Sequence, residues 1–388
     1  MAGIYLHIPF CKQACHYCDF HFSTSLKKKD EMISALRREL FLRKNEFVSS
    51  SPSTSSGQAQ VENQVETIYF GGGTPSVLSN NEINLLIDEV YQLFNVAENP
   101  EITLEANPDD LSADRIKQLA ESKINRLSIG IQSFFDEDLK MMNRAHNANE
   151  AWNSLQEAKK YFDNISIDLI YGIPEMTLDR WKQNVQKALD LNIPHLSSYA
   201  LTVEPKTALS TLIKNGKIPT PDDGIAHEHF LLMIEMLEKA GFIHYELSNF
   251  GKPDYFSKNN SAYWLGKKYL GIGPSAHSFN GENRSWNIAN NSLYINAIQQ
   301  DKLPNEVEVL SKNDRYNEYV MTGLRTVWGV SLEKIKNDFG QDYLTYLLKN
   351  AEVFLTNEKL IIENNILKTT LKGKFFCDGI ASELFWID

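Results

Sequence analysis

Residues 5–20 read Tyr5-Leu-His-Ile-Pro-Phe-Cys11-Lys-Gln-Ala-Cys15-His-Tyr17-Cys18-Asp-Phe20. The apolar run Ile4–Ile8 reads as a short strand, and the cysteines follow it directly, so three thiols converge on one loop at the C-terminal edge of a sheet. Thiolates this close hold a soft metal or a cluster. A structural zinc site would need a fourth ligand, for which His7, His16 and His21 are at hand. A redox pair at Cys15 and Cys18 would leave Cys11 unexplained. Three cysteines on four irons leave one iron without a protein ligand, and an open coordination site is what a catalytic cluster needs. The fourth and last cysteine, Cys377, stands far off in sequence and reads as an inert buried thiol.

Outward from this loop, short β-rich runs alternate with longer amphipathic ones. Strands are expected at Ile4–Ile8, Glu66–Phe70, Glu101–Glu105, Arg126–Ile131, Ile165–Ile170 and His195–Leu201. Helical patterns fall near 28–47, 80–95, 112–123, 148–162, 178–191 and 222–240. Alternation of this kind builds parallel βαβ units whose crossovers curl the sheet. Six repeats are two fewer than a closed eight-fold barrel, so the expected fold is α/β, an open, partial (β/α)6 TIM-like barrel over residues 1–240. The Ser-rich stretch 49–64 has almost no apolar residues and reads as a flexible insertion. Residues 241–301 read as a connecting segment. Residues 302–388 read as a helix-rich, winged-helix-like domain, with helices at 312–327, 331–338 and 341–350, strands at Leu360–Glu363 and Ile366–Thr369, and a last helix.

The 388 residues carry 39 basic and 50 acidic side chains, a net charge of −11, which argues against broad electrostatic binding of nucleic acid or anionic lipid. A hydrophobic content of 42% suffices for a sizeable core. No window approaches the length of a membrane span, and the first ten residues lack a signal-peptide pattern, so the cytoplasm is the expected location.

Polar and glycine-rich patches recur just after the expected strands, where a barrel of this kind places its chemistry. Gly71-Gly72-Gly73-Thr74-Pro75 would let the backbone approach a ligand and offer N–H donors, or be a tight turn only. Glu105 and Asn107 end one strand, Gln132 and Ser133 another, and Asp168 lies inside a third. A carboxylate in an apolar strand is costly unless a ligand or cation meets it. Gly271-Ile-Gly273-Pro-Ser-Ala276 formally fits a dinucleotide fingerprint, but Pro274 stands where a phosphate-binding helix should open. His227 and His229, two apart on an expected helix, read as surface residues.

The stretch HIPFC-xxx-C-x-YCDF resembles the radical S-adenosylmethionine (SAM) superfamily, in its coproporphyrinogen-dehydrogenase-like branch, and the resemblance covers most of the chain. It implies a [4Fe–4S] cluster on Cys11, Cys15 and Cys18, with SAM chelating the fourth iron. Carried over residue by residue, it implies SAM contacts from Tyr5, Tyr17, Gly72, Gly73, Thr74, Glu105, Gln132, Arg144, Asp168 and Ala200. The glycine loop would meet the amino group, Glu105 or Asp168 the ribose hydroxyls, and Arg144 a carboxylate.

Within that branch the coproporphyrinogen III dehydrogenases carry an additional cysteine two residues after the third, where this chain has Phe20. The YCDF form instead resembles the HemW haem chaperones, as do Asn259-Asn260-Ser-Ala-Tyr263-Trp264, the run Tyr269–Ser278 and the tail around Leu371-Lys-Gly373 and Glu383-Leu-Phe385. The resemblance implies haem as cargo and haem-acceptor proteins as partners, with Asn260, Tyr263, Trp264 and His277 as haem candidates. The family pattern has histidine where this chain has Asn259, and an amide is a poor iron ligand, so His277, Tyr263 or Cys377 would have to substitute. A flavodoxin or ferredoxin would serve as electron donor if SAM is cleaved. Peripheral membrane contact and a homodimer are compatible with the sequence, and nucleic acid is not an expected partner. The alternatives are porphyrinogen oxidative decarboxylation and a non-catalytic iron–sulfur scaffold.

Overall fold

The structure is a computed structural model that describes residues 2–47 and 63–387, so the Ser-rich stretch at 49–64 lies almost wholly outside the described residues. The first six strands are β1 (Ala2–Ile8), β2 (Val65–Gly72), β3 (Val96–Ala106), β4 (Arg126–Gln132), β5 (Ile165–Tyr171) and β6 (His195–Ala200). Between them run α1 (Lys29–Leu42), α2 (Asn80–Leu93), α3 (Ala113–Ala120), α4 (Asp136–Met141), α5 (Ala148–Ala158) and α6 (Leu178–Asp190). After β6 come α7 (Ala208–Lys214) and α8 (Asp223–Lys239). All six strands pair in parallel in chain order, as the alternation required.

Each strand has two unlike faces. On β1, Ile4, Leu6 and Ile8 are fully buried in the main core against the helices, while Tyr5 and His7 point the other way. On β4, Leu127, Ile129 and Ile131 take the helix side, and Ser128, Gly130 and Gln132 the inner side. The inner face is therefore polar along much of its length, which is the lining of a site and not of a packed barrel centre. Side-chain caps start the helices where the sequence allows: Ser79 and Glu82 form a reciprocal capping box at α2, and Asn147 and Glu150 do so at α5.

Residues 241–301, expected to be a connecting segment, and the first residues of the expected tail domain carry six further strands. They are β7 (Ile243–Glu246), β8 (Asn249–Gly251), β9 (Lys268–Ile272), β10 (His277–Phe279), β11 (Asn283–Asn287) and β12 (Asn305–Val309), with α9 (Lys258–Trp264) and α10 (Asn291–Gln299). They extend the sheet to twelve strands in the order β12-β11-β10-β9-β1-β2-β3-β4-β5-β6-β8-β7. β9 lies parallel to β1, whereas β8 lies antiparallel to β6. The sheet stays open, and the chain crosses from its β6 side to its β1 side through α9. Strands of three to five residues with mixed polarity carry no readable period, which is why the sequence shows only a link there.

A second, smaller core gathers Tyr316, Val320, Leu347 and Leu367 beneath α11 (Lys312–Leu324), β13 (Val330–Ser331), α12 (Leu332–Lys334) and α13 (Gln341–Thr356). A π-helical turn at Ile335–Phe339 interrupts the helix expected over 331–338. β14 (Leu360–Glu363) and β15 (Ile366–Thr369) form the expected hairpin, joined by β13 into a three-stranded sheet, and α14 (Leu371–Lys374) and α15 (Cys377–Glu383) follow. Among the described residues no helix is long and apolar enough to cross a membrane.

Candidate functional site

The cysteine loop is clasped from both sides. The Cys11 N–H donates to the Ser23 carbonyl (3.1 Å) and the Ser23 N–H to that of Pro9 (2.9 Å), closing the loop at its base. Across from it, Asn143 Nδ2 donates to Ala14 O (2.7 Å), Gln13 Nε2 to Asn143 O (2.8 Å), and the His16 N–H to Met142 O (3.0 Å). All three sulfurs accept hydrogen bonds: Cys11 from Thr74 Oγ1 (3.3 Å), Cys15 from Arg144 Nη1 (3.2 Å) and Cys18 from the Phe20 N–H. Arg144 also donates to Asn107 Oδ1 (2.7 Å) and Gly130 O (2.9 Å), while its Nε is buried with no partner among the described residues. The three histidines that could complete a zinc site are engaged elsewhere: His7 Nε2 with His21 O (3.0 Å), His16 Nδ1 with Met141 O (2.8 Å) and His21 Nε2 with Asn291 Oδ1 (2.7 Å). Among the described residues no three His, Cys, Asp or Glu side chains close around a single ion. A four-iron cluster takes one sulfur per iron and accepts a wider triangle of cysteines.

The glycine run after β2 is demanded by close approach. A Cβ on Gly71 would stand 2.8 Å from the Tyr5 ring, and one on Gly73 2.6 Å from the Phe10 carbonyl oxygen. Gly72 holds φ +109, and a Cβ there would meet the His7 ring at 2.6 Å. The loop is fastened to the cysteine loop by Gly73 N–H to Ile8 O (2.9 Å) and Thr74 N–H to Phe10 O (2.7 Å).

From the inner strand faces, Glu105 accepts from Tyr69 Oη (2.8 Å) and from the Gly72 N–H. Burial raises it to about 7, the Asp168 charge adding to the rise and the Tyr69 hydrogen bond opposing it. Burial likewise raises Asp168 to about 6, against the pull of Arg126 and of a Ser197 hydrogen bond. Tyr5 stacks on Tyr69 with ring centroids 6.0 Å apart. Gln132, 8% exposed, sits at φ +64 on an irregularity in the β4–β5 register, which turns its side chain inward.

These groups face one cavity of about 770 Å³. It is lined by Cys11, Cys15 and Cys18, by Tyr17, Gly72, Gly73 and Thr74, and by Glu105, Gln132, Arg144, Asp168 and Ala200. Tyr5 stands behind that lining, against Gly71. Four lining residues come from the C-terminal part, Arg325, Lys374, Phe375 and Asp378, and α8 adds Phe230. Nothing local in the sequence ties residue 374 to residue 15, so these five are not legible from the chain alone. Ser128 and Tyr199 were within reach, since each falls in step with the inner face of its strand.

The four haem candidates lie apart from this lining. Tyr263 packs edge-on to Tyr269 with centroids 4.5 Å apart, and Trp264 lies under the Arg325 guanidinium, which stands 5.1 Å from its ring centroid. Asn260 is half-buried, its N–H capped by Ser257 Oγ (3.2 Å). His277 lies on β10 beside Trp286, with ring centroids 6.0 Å apart. Asn259, at the family's histidine position, is 2% exposed, accepts from Thr67 Oγ1 (2.9 Å) and hydrogen-bonds Tyr263. Cys377 is buried in the smaller core, 3.8 Å from Thr369 Oγ1.

The dinucleotide-like run has a packing explanation. A Cβ on Gly271 would fall 2.0 Å from His277 O, and the Gly273 N–H donates to the buried Glu39 carboxylate (2.8 Å), which Arg43 and Tyr294 also hold. The surface expectation for His229 is corrected: its ring is wholly buried, accepting from the Gly172 N–H (3.2 Å) with centroids 6.0 Å from Trp181, because α8 packs on α6 along that side.

Residues 5–188 match the radical SAM superfamily model and residues 310–376 the HemN C-terminal domain model. The chain is 34% identical to the haem chaperone HemW of Bacillus subtilis over 88% of each chain. It is 37% identical to the HemW of Lactococcus lactis over 86% of this chain and 84% of that one. In fold it is similar to the coproporphyrinogen III oxidase HemN of Escherichia coli, a radical SAM enzyme, with a TM-score of 0.83 at 23% identity, covering 99% of this chain and 90% of that one.

Proposed function

Because the chain belongs to the HemW family of the radical SAM superfamily, we propose that it is a haem chaperone, binding a [4Fe–4S] cluster, SAM and haem and delivering the haem to acceptor haemoproteins. The observation that carries this reading is the convergence on one cavity of three cysteines, the glycine loop after β2 and inward polar side chains of the parallel strands β3 to β6.

Cys11, Cys15 and Cys18 would hold the cluster, with Thr74 and Arg144 donating to the sulfurs. A cluster with one open iron, when bound with SAM, supplies one-electron chemistry. The protein's own part is binding and orientation. The Gly71–Gly73 backbone admits SAM closely, and Glu105 and Asp168 accept from its ribose hydroxyls. Arg144 is held on the same wall by Asn107 and Gly130, beside the Cys15 sulfur. Two half-buried carboxylates that desolvation pushes up to about 7 and about 6 are costly on an apolar strand, and a ligand that donates to them offsets that cost. An electron donor of the flavodoxin or ferredoxin type would serve any SAM cleavage, and the cytoplasm is the compartment that fits an oxygen-sensitive cluster.

The test uses one anaerobic preparation. Reduced protein with SAM is expected not to convert coproporphyrinogen III, in keeping with Phe20 at the additional cysteine's position, but to take up haem and pass it to an apo-haemoprotein. Turnover without haem uptake would overturn the chaperone reading. A cluster spectrum unchanged at saturating SAM would favour a bare scaffold.

A further inference from the structure

We propose that Lys374 anchors a carboxylate of the haem cargo, placing the haem in the cavity between the barrel edge and the C-terminal domain. The inference rests on the chaperone reading and gives that reading a site.

Lys374 ends α14 and lines the cavity beside Phe375 and Asp378. Its Nζ donates to His244 Nδ1 at 2.8 Å. The opposite ring nitrogen of His244 donates to Leu247 O (3.0 Å), and the ring lies stacked on Phe250 with centroids 4.1 Å apart, so it is fixed as a neutral acceptor. Lys374 makes no ion pair among the described residues, and with one N–H given to His244 two of its three N–H donors remain for a ligand. The other cations of the lining are committed. Arg325 bonds Glu246 (3.3 Å) and Asp378 (2.5 Å), and Arg144 is tied to the cysteine loop.

A half-buried ammonium whose one contact is a neutral imidazole is unfavourable, and burial pulls Lys374 below the usual lysine range, with Glu238 and Cys377 opposing that fall from a distance without forming an ion pair among the described residues. An anion arriving at Nζ would relieve that cost. Beside it Phe375 and Phe230 lie 5.8 Å apart, and Tyr171 lies 6.2 Å from Phe230, all three on the cavity wall. Aromatic faces next to one uncompensated cation describe a flat, apolar ligand that carries a carboxylate. Haem with its propionates is of that class. The α9 segment is less suited to capture, because Asn259 is locked by Thr67 and neither Tyr263 nor Trp264 lines the cavity.

The full-length, anaerobically reconstituted protein would be titrated with haem and with haem dimethyl ester, whose propionates are blocked. Lys374→Met is expected to weaken haem about ten-fold or more, Lys374→Arg to restore most of it, and neither to change iron content or SAM affinity. Wild type should bind the dimethyl ester about as weakly as Lys374→Met binds haem, a comparison that does not depend on the variant's folding. Equal affinity of wild type for haem and its ester, or loss of SAM instead of haem in Lys374→Met, would overturn the anchor and leave the chaperone reading intact. No haem uptake by wild type would overturn both.

Discussion

Replacing Glu105 by glutamine should make the protein more stable at pH 8 while weakening SAM binding. Glu105 ordinarily ionises near 4.5 and is raised by burial to about 7. Between those values the folded chain keeps a proton that the unfolded chain has lost, so stability declines as pH climbs through the window, and the deficit is complete above about 7. The gap from 4.5 to about 7, at about 1.36 kcal/mol per pH unit, sets an upper bound of about 3 kcal/mol. The carboxylate faces an open cavity, and water there lowers the figure to about 2 kcal/mol. Glutamine keeps an oxygen for the Tyr69 hydroxyl and carries no charge. The assay is urea unfolding of apo-protein, wild type against Glu105→Gln, at pH 5 and pH 8. Packing changes common to both pH values cancel in the difference of differences, which should be about 2 kcal/mol in the variant's favour at pH 8. Loss of the charged acceptor should cost SAM about ten-fold in affinity at the same pH. A variant equally destabilised at both pH values would refute the burial argument, and unchanged SAM affinity would remove Glu105 from the ligand's contacts.

Other outcomes follow from single contacts. Alanine at Cys11, Cys15 or Cys18 should abolish iron and sulfide retention, whereas Cys377→Ala should leave both unchanged; about one zinc and no sulfide in reconstituted protein would contradict the cluster. Gly73→Ala drives a Cβ to within 2.6 Å of the Phe10 carbonyl oxygen, so it should cost about 2 kcal/mol of stability and release the cysteine loop, read as poor cluster retention. His244 is held neutral by burial and by neighbouring Lys374 down to about 3, below its ordinary 6.5, so the unfolded chain gains a proton on acidification that the folded chain refuses. Stability therefore falls as pH drops below about 6.5, with about 2 kcal/mol at pH 5 from this residue, and His244→Gln should lose that much less stability between pH 7 and pH 5 in the same unfolding assay.

Alternating hydrophobicity in β1 to β6 and the helical periods between them made the parallel half-barrel readable, because each strand buries one face against helices and the period is local. The cysteine spacing was readable for the same reason: three ligands within eight residues need only a loop. Gly72, Glu105 and Asp168 could be singled out because glycine and carboxylate at strand ends are costly unless something meets them. Other features depend on residues that never adjoin in the chain. Short antiparallel strands such as β8 and β10 have no period to read and exist through their pairing with β6 and β9. Asn259 stands where the family pattern has histidine, yet its amide is turned inward onto Thr67, a contact made by chain folding. Lys374 reaches the cysteine cavity only because α14 packs its neighbour Phe375 against Phe230 of α8. Local pattern thus determined the scaffold and the cluster loop, whereas long-range packing decided which distant side chains wall the site and which cation among them has, among the described residues, no ion-pair partner.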